Sequence, residues 1–415
     1  MIAMKSIGPK RAKGREHMVL IELYDRQEPV KNITALSAFA PCEAVILLDG
    51  LTDERLAKKR MGTFAKEMGI GTKFHFITTH PFDLANVKST MEQVIMDYGA
   101  ENVMIDVMGG SDLLLLAAGA CAEKHPQVAI VRQKPGTDRF IWLQGEEKAV
   151  PVNHAPLTIR SLMALSGGEL LRNARVNGGM EDEAFMALVP RIFHVYRRFR
   201  SQWPRFVLYL QRLCAGDMQP DGSYAGKKVV YQGKRRLEAN EGILVALMEC
   251  GALKNVHWTE TGVDVTFRSE TVQKYLCDVG AWLELYCLRQ MKKSGLFTEV
   301  QMSCVLSWDD DRDKQDVTNE IDLIALHGKG QYFISCKTGV PDSLVLAEIA
   351  AMADRFGSDW AVPVLITASN LEKEAPGIYR RGAEMGVMII DADDLTEEKL
   401  NSRLTDMIRF RRKHK

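Results

Sequence analysis

The sequence predicts an α/β protein in three parts: a doubly wound parallel sheet, a helical connector, and a terminal domain of order αβββαβ. Three observations carry this reading. Over residues 18–150, Val- and Ile-rich runs alternate with helical periods. Residues 151–270 turn helical and close on a helix followed by two alternating strands. Residues 271–415 hold an apolar hairpin, "TNEIDLIALHGKGQYFISCKTG" (318–339), between helices.

The bulk numbers set limits. A chain of 415 residues has material for two or three cores. Hydrophobic residues at 46% and charged residues at 26% give an ordinary globular composition. Lys+Arg and Asp+Glu both total 54, which excludes a uniformly basic coat, so any nucleic-acid contact must come from a local patch. The eight cysteines form no CxxC pair and accompany 20 methionines, the pattern of reduced thiols in a cytoplasm. No run reaches the roughly 18 apolar residues of a membrane span. Residues 1–17 lack an apolar signal region and read as a disordered leader before Met18, while "RFRRKHK" at the other end reads as a solvated basic tail.

In the first part, "MVLIELY", "AVILLD", "KFHFIT", "VMIDV" and "VAIVRQ" are the strands, and "FIWLQG" (140–145) is an added edge. A ligand of such a sheet lies beyond the carboxyl ends of the strands, where strand order reverses. Two loops fall there. "DRQEPVKN" (25–32) offers Gln27, Pro29, Lys31 and Asn32, and "MGGSDLLLL" (108–116) offers Gly109, Gly110, Ser111 and Asp112. The glycines let backbone approach a ligand, and Ser111 can cap a helix whose free N–H groups favour anions, although a plain cap is the simpler account. Thr79 and His80, ending a neighbouring strand, add donors. No G-x-G-x-x-G is present, so nothing points to a nicotinamide cofactor.

In the connector, "LTIRSLMALSGGELLRNA" and "EAFMALVPRIFHVYRRFRSQWPRFVLYLQRLCA" read as helical and "GDMQPDGSYAGKK" as a turn-rich loop. "EGILVALMECGALKNVHWTETGVDVTFRS" gives a helix, a glycine stop and two strands, which resembles a winged-helix unit. Arg191, Arg197, Arg198, Arg200 and Arg205 make a basic stretch with aromatics between them, either a solvated helix face or a nucleic-acid contact.

The last part reads helix 272–293, strands 297–307, 320–327 and 331–337, helix 343–356, strand 361–368, helix 376–385 and strand 387–391. Strand side chains alternate, so Ser335 and Lys337 share one face, Ile334 and Cys336 the other, and Glu320 and Asp322 share a face of the strand before. A carboxylate in the apolar run "IDLIAL" is costly unless something compensates it, and a divalent cation does so. A lysine beside it can hold charge developing on a phosphate. Glu284, in "VGAWLELYCLRQM", supplies a second acid. The bland alternative is a hairpin ion pair between Lys337 and an acid.

The αβββαβ order with "WLE", "NEID" and "SCKTG" resembles the PD-(D/E)xK nuclease superfamily over residues 271–391. The resemblance implies a restriction-endonuclease-like domain in which Glu284 and Asp322 bind Mg²⁺ or Mn²⁺ and Lys337 is catalytic. Ser335 stands where that family has Glu or Asp. Glu320, Glu348 on the following helix, or the Cys336 carbonyl with water are the candidates to complete the metal shell. "DDDRDKQDVTNE" from Asp309 spaces its acids like a calcium loop, but Lys314 sits where that loop needs Gly, and the calcium reading fails.

Joined to this end, the first sheet with "EPVKN" and "GGS" resembles the Rossmann-like CARF sensor of type III CRISPR systems. The family's loop reads G-G-T-K, and Ser111 and Asp112 replace its last two residues. Together the two resemblances imply a cytoplasmic homodimer, activated by a cyclic oligoadenylate such as cyclic tetra-adenylate, that cuts DNA and/or RNA with a metal ion. The rival reading is a ligand-sensing DNA-binding regulator whose nuclease end has decayed.

Overall fold

The computed structural model describes residues 18–134, 139–145, 157–173, 182–307, 318–357 and 360–410. The expected leader, most of the basic tail and the acids Asp309, Asp311 and Asp313 lie outside the described residues. The described chain forms two compact units. The first holds residues up to 169 with 307 and 356–357, and the second holds 170–306, 318–355 and 360–410.

The first unit runs β1 (Val19–Leu23), α1 (Thr34–Phe39), β2 (Glu43–Leu48), α2 (Glu54–Met68), β3 (Lys73–Thr78) and α3 (Leu84–Tyr98). It continues with β4 (Val103–Asp106), α4 (Asp112–Lys124), β5 (Ala129–Gln133), β6 (Phe140–Gln144) and α5 (Ile159–Ser166). A short 3-10 turn, Pro29–Ile33, precedes α1. The sheet order is β3-β2-β1-β4-β5-β6, parallel through β5, with β6 antiparallel at the edge. Its Val/Ile runs become strands because helices cover both faces, and all five residues of β1 are buried. Ile21, Leu23, Val45, Ile105, Met91 and Leu114 share one core, and Asp53 and Asp83 cap α2 and α3. All six expected strands form, and strand order reverses between β1 and β4.

The second unit begins with β7 (Glu169–Asn173), α6 (Glu183–Arg198), α7 (Trp203–Cys214), β8 (Tyr224–Lys227), β9 (Val229–Gln232) and β10 (Arg235–Glu238). Then come α8 (Glu241–Glu249), β11 (Leu253–Trp258), β12 (Gly262–Phe267), α9 (Glu270–Leu276), α10 (Ala281–Ser294) and β13 (Glu299–Ser307). β14 (Thr318–His327), β15 (Gly330–Lys337), α11 (Ser343–Phe356), β16 (Val362–Thr367), α12 (Leu371–Glu374), α13 (Pro376–Glu384), β17 (Met388–Ile390) and α14 (Glu397–Arg409) complete it. The main sheet has the order β17-β16-β15-β14-β13-β7. β14 and β15 are the expected antiparallel hairpin, and β16 and β17 add in parallel.

One core crosses the boundary expected at residue 270. Phe193 of α6 stacks on Tyr286 of α10, with centroids 3.9 Å apart at 12°, and Trp203, Leu247, Trp282, Ile334 and Leu404 share the same apolar cluster. The connector and the terminal domain are therefore one folded body, because neither α6 nor α10 can bury its apolar face without the other. Other expectations are corrected locally. "LTIRSLMALSGGELLRNA" is not one helix: Gly167, at φ +76°, ends α5, and residues 169–173 leave as the edge strand β7. The helix expected at 272–293 is two, because Asp278 Oδ1 accepts from the amides of Gly280 and Ala281 and restarts the chain as α10. The supposed loop 216–228 contains β8, which adds to the β11–β12 hairpin of the helix-plus-hairpin unit.

Candidate functional site

In the second unit, the β14–β15 register runs from His327 opposite Gly330 to Leu323 opposite Ile334. Just past that point Asp322 takes up the donors of the neighbouring strand. Its Oδ2 accepts from the Cys336 amide at 2.6 Å, the Ser335 hydroxyl at 3.1 Å and the Lys337 ammonium at 3.4 Å. The alternation of β15 makes this possible, since Ser335 and Lys337 share a face and the amide between them points sideways to β14. Tyr196 of α6 donates to the Thr338 carbonyl at 3.3 Å, and the Thr367 hydroxyl to Gly339 at 3.0 Å, which pins the chain just beyond Lys337.

Cys336 points the other way, into the core against Cys287 of α10. Its pKa is raised well above the ordinary thiol range by the hydrogen bond with Cys287, by burial, and then by the charges of Cys287, Asp322 and Glu284. With the thiol turned into the core, the Cys336 carbonyl is the group left to serve a metal. Glu284 is 8% exposed in the first turn of α10, and its charge is the last of the causes that push the Cys336 pKa up.

The two candidate replacement acids are both exposed. Glu320 is exposed, and its charge acts on Cys304 of β13, whose thiol burial and Glu299 also push up. Glu348 is exposed on α11. Neither makes a hydrogen bond or ion pair with Asp322 or Lys337. Among the described residues no group of three His, Cys, Asp or Glu side chains gathers to hold a metal. The oxygens of Glu284, Asp322 and the Cys336 carbonyl are hard donors, so the set fits a cation that keeps several waters, as Mg²⁺ does, and not one that needs a full protein cage.

Of the five connector arginines, two are already engaged. Arg197 donates to the carbonyls of Ala392 and Leu395, and Arg200 donates to the Ala368 carbonyl and pairs with Glu374 at 3.2 Å. They tie α6 to the strand ends. Arg191, Arg198 and Arg205 are exposed.

In the first unit, most of the candidate ligand residues serve the loops themselves. Asn32 is buried, donates to the Leu23 carbonyl at 2.7 Å and accepts from the Asp25 amide at 2.9 Å. Asp25 Oδ1 accepts from the amides of Gln27 and Glu28, and Lys31 pairs with Glu28 at 2.6 Å and Asp25 at 3.3 Å. Burial works against the Lys31 ammonium, but the Glu28 hydrogen bond and the two carboxylates prevail and raise its pKa. Pro29 is buried at the start of the 3-10 turn, and Gln27 is exposed. The Thr79 hydroxyl donates to the Leu48 carbonyl at 3.0 Å, and exposed His80 accepts from the Phe82 amide.

The glycines pack against the end of β1. A Cβ on Gly110, at φ +95°, would lie 2.6 Å from the Leu23 Cβ, and one on Gly109 would lie 3.0 Å from the Asp25 Cβ. Ser111 is the N-cap of α4 but makes no capping hydrogen bond, and its Oγ is buried without a partner. Asp112 is exposed in the first turn. Sequence reasoning missed a cleft of about 270 Å³ lined by Tyr24, Arg26, Gln27, Leu51, Asp53 and Arg60, which sets two guanidinium groups beside the ends of β1 and β2. Arg26, inside the quoted "DRQEPVKN", was the available signal. It also missed Glu22 and Asp106, both 1% exposed and facing each other across the β1–β4 pair.

Neither a protein-family model nor a curated relative matches the sequence. Solved structures do. Protein VC1899 from Vibrio cholerae superposes with a TM-score of 0.69 at 18% identity, over 95% of this chain and 99% of that one. Can2 from Sulfobacillus thermosulfidooxidans, solved in complex with cyclic tetra-adenylate, superposes with a TM-score of 0.65 at 15% identity, over 94% and 97%. At such identities the likeness speaks for architecture, and it is nearly complete: the chain shares the α/β fold of these two proteins from one end to the other.

Proposed function

We propose that the chain is a metal-dependent nuclease switched on by a cyclic oligoadenylate, working as a homodimer in type III CRISPR defence. One observation carries the hydrolytic half: Asp322 Oδ2 gathers Ser335, the Cys336 amide and Lys337 at the open end of the hairpin. For the sensing half, the support is the shared fold with Can2, which was solved with cyclic tetra-adenylate, and the two arginines in the cleft beside β1.

In this reading the three donors on Oδ2 fix the orientation of Asp322 and leave Oδ1 to turn outward. Lys337 lies half out of the protein with its ammonium 3.4 Å from that carboxylate, placed to meet charge that develops on a phosphodiester. Mg²⁺ or Mn²⁺, held by Glu284, Asp322 and the Cys336 carbonyl, would supply a water of lowered pKa. Ser335 keeps the hairpin neutral where a third acid would otherwise repel Asp322.

The test is to incubate the full chain with plasmid DNA and labelled RNA, with Mn²⁺, and with or without cyclic tetra-adenylate. Cutting that needs both metal and ring supports the reading. The replaced acid at Ser335 and the lack of a three-ligand cluster among the described residues favour the rival, a ligand-sensing regulator. Ring-dependent retardation of DNA without any cutting would establish that rival instead.

A further inference from the structure

Between α7 and α8 the chain puts out a two-stranded ribbon, β9–β10, in a stretch too polar to read as a strand pair. Tyr231 pairs with Arg236, and Val230 with Leu237. Side-chain alternation gives the ribbon two faces. Buried Leu237 and partly buried Val230 anchor one face to the core of the second unit. Tyr231 and Arg236 occupy the other, side by side. Gly233, at φ +59°, makes the two-residue turn and sets Lys234 at the tip. Every residue from Tyr231 to Arg236 is exposed, Tyr231 at 69%.

The charge of this segment departs from that of the chain. Residues 227–238 carry five cations and one acid, Glu238, in a protein whose formal charge is zero. Glu238 pairs with Arg236 at 2.9 Å, and the Lys228 ammonium sits 5.7 Å over the Trp258 ring. Lys234 and Arg235 form no ion pair among the described residues. Lysines on an exposed strand edge can be explained as protection against edge-to-edge pairing. An outward tyrosine cannot, since it adds sticky apolar area to the same edge. A flat ring beside a guanidinium, with the unpaired Lys234 ammonium at the adjoining turn, is an arrangement on which unpaired bases stack while a phosphate is neutralised.

We propose that this ribbon holds an unpaired nucleic-acid strand, with bases stacked on Tyr231 and Arg236 and a phosphate against Lys234 at the turn. The choice of a nucleic acid as partner rests on the nuclease reading, but its test does not depend on cutting. Labelled oligothymidine, oligouridine and a DNA duplex are titrated with the full chain in EDTA, and binding is followed by fluorescence anisotropy over a range of salt. Tyr231→Ala should weaken single-strand binding by about five- to a hundredfold, and Tyr231→Trp should restore it. The variant Lys234→Ser should lower the slope of log K against log salt by about 0.7, the share of one lost cation. Matched thermal unfolding of the variants shows that the fold is intact. Unchanged affinity and slope in both variants, or a wild type that prefers duplex, overturns the proposal. Ribbon-dependent binding in a chain that never cuts would leave it standing and sink only the hydrolytic reading.

Discussion

Each unit of this molecule places acids near the ends of central strands, and the two units compensate them differently. In the first, Glu22 and Asp106 face each other in a fully buried position, and no Lys, Arg or His pairs with Glu22 among the described residues. Burial first, then the charge of Asp106, raises the Glu22 pKa well above the glutamate range despite a hydrogen bond from Asn32. Burial and the neighbouring charge thus favour the protonated form of Glu22. In the second, Asp322 keeps 19% of its side chain exposed and is met by an ammonium and two further donors. A carboxylate sealed away from water serves structure, whereas one at an opening, met by an ammonium, is available for chemistry. Burial of the acid, more than its presence, separates the two.

Removing the second compensation should have the largest effect. Lys337→Ala and Asp322→Ala are each expected to lower the initial rate of cutting by at least about a hundredfold, the usual cost of deleting one electrostatic donor or ligand. Calorimetric binding of cyclic tetra-adenylate should be unchanged, because Lys337 and Asp322 belong to the second unit. Wild-type rates in either variant would break the contrast. Next comes the packing that holds the first site. Gly110→Ala forces a Cβ into Leu23 at a left-handed φ and should cost about 1–3 kcal/mol in denaturant unfolding.

Glu22→Gln then tests the sealed pair directly. A carboxyl whose folded pKa is raised holds its proton in the native chain after the unfolded chain has released it. Wild-type stability should therefore fall as pH rises from the ordinary glutamate range toward the raised folded value, by up to about 1.4 kcal/mol per pH unit. Glutamine mimics the protonated form and should flatten that part of the pH profile of Tm. A profile with the same slope as wild type would show that Glu22 is ionised.

The same contrast explains what the sequence could disclose. The runs "MVLIELY" and "VMIDV" announced β1 and β4, because a strand buried on both faces is apolar throughout. Strand alternation alone brought Asp322, Ser335 and Lys337 together, since a hairpin register is local. β7 was illegible, because its partner β13 lies more than a hundred residues away in the chain and only tertiary pairing makes it a strand. The ion pairs of Lys31 with Asp25 and Glu28 were not legible, because a loop's internal pairing leaves no periodic trace. The ribbon escaped for a third reason: anchored by Val230 and Leu237 alone, it lacks the alternation that betrays a strand.

The smallest expected effect is also the sharpest probe of the open site. Ser335→Asp removes the hydroxyl that donates to Asp322 Oδ2 at 3.1 Å and sets a second negative charge beside it. Without metal the variant should lose about 1 kcal/mol, the worth of one hydrogen bond together with like-charge repulsion across neighbouring strands. With Mn²⁺ the two carboxylates gain a common partner, so the metal-induced rise in Tm should be larger in the variant than in wild type. If Mn²⁺ raises Tm no further in Ser335→Asp than in wild type, Asp322 does not face a cation site, and its ion pair with Lys337 is only the clasp of a hairpin.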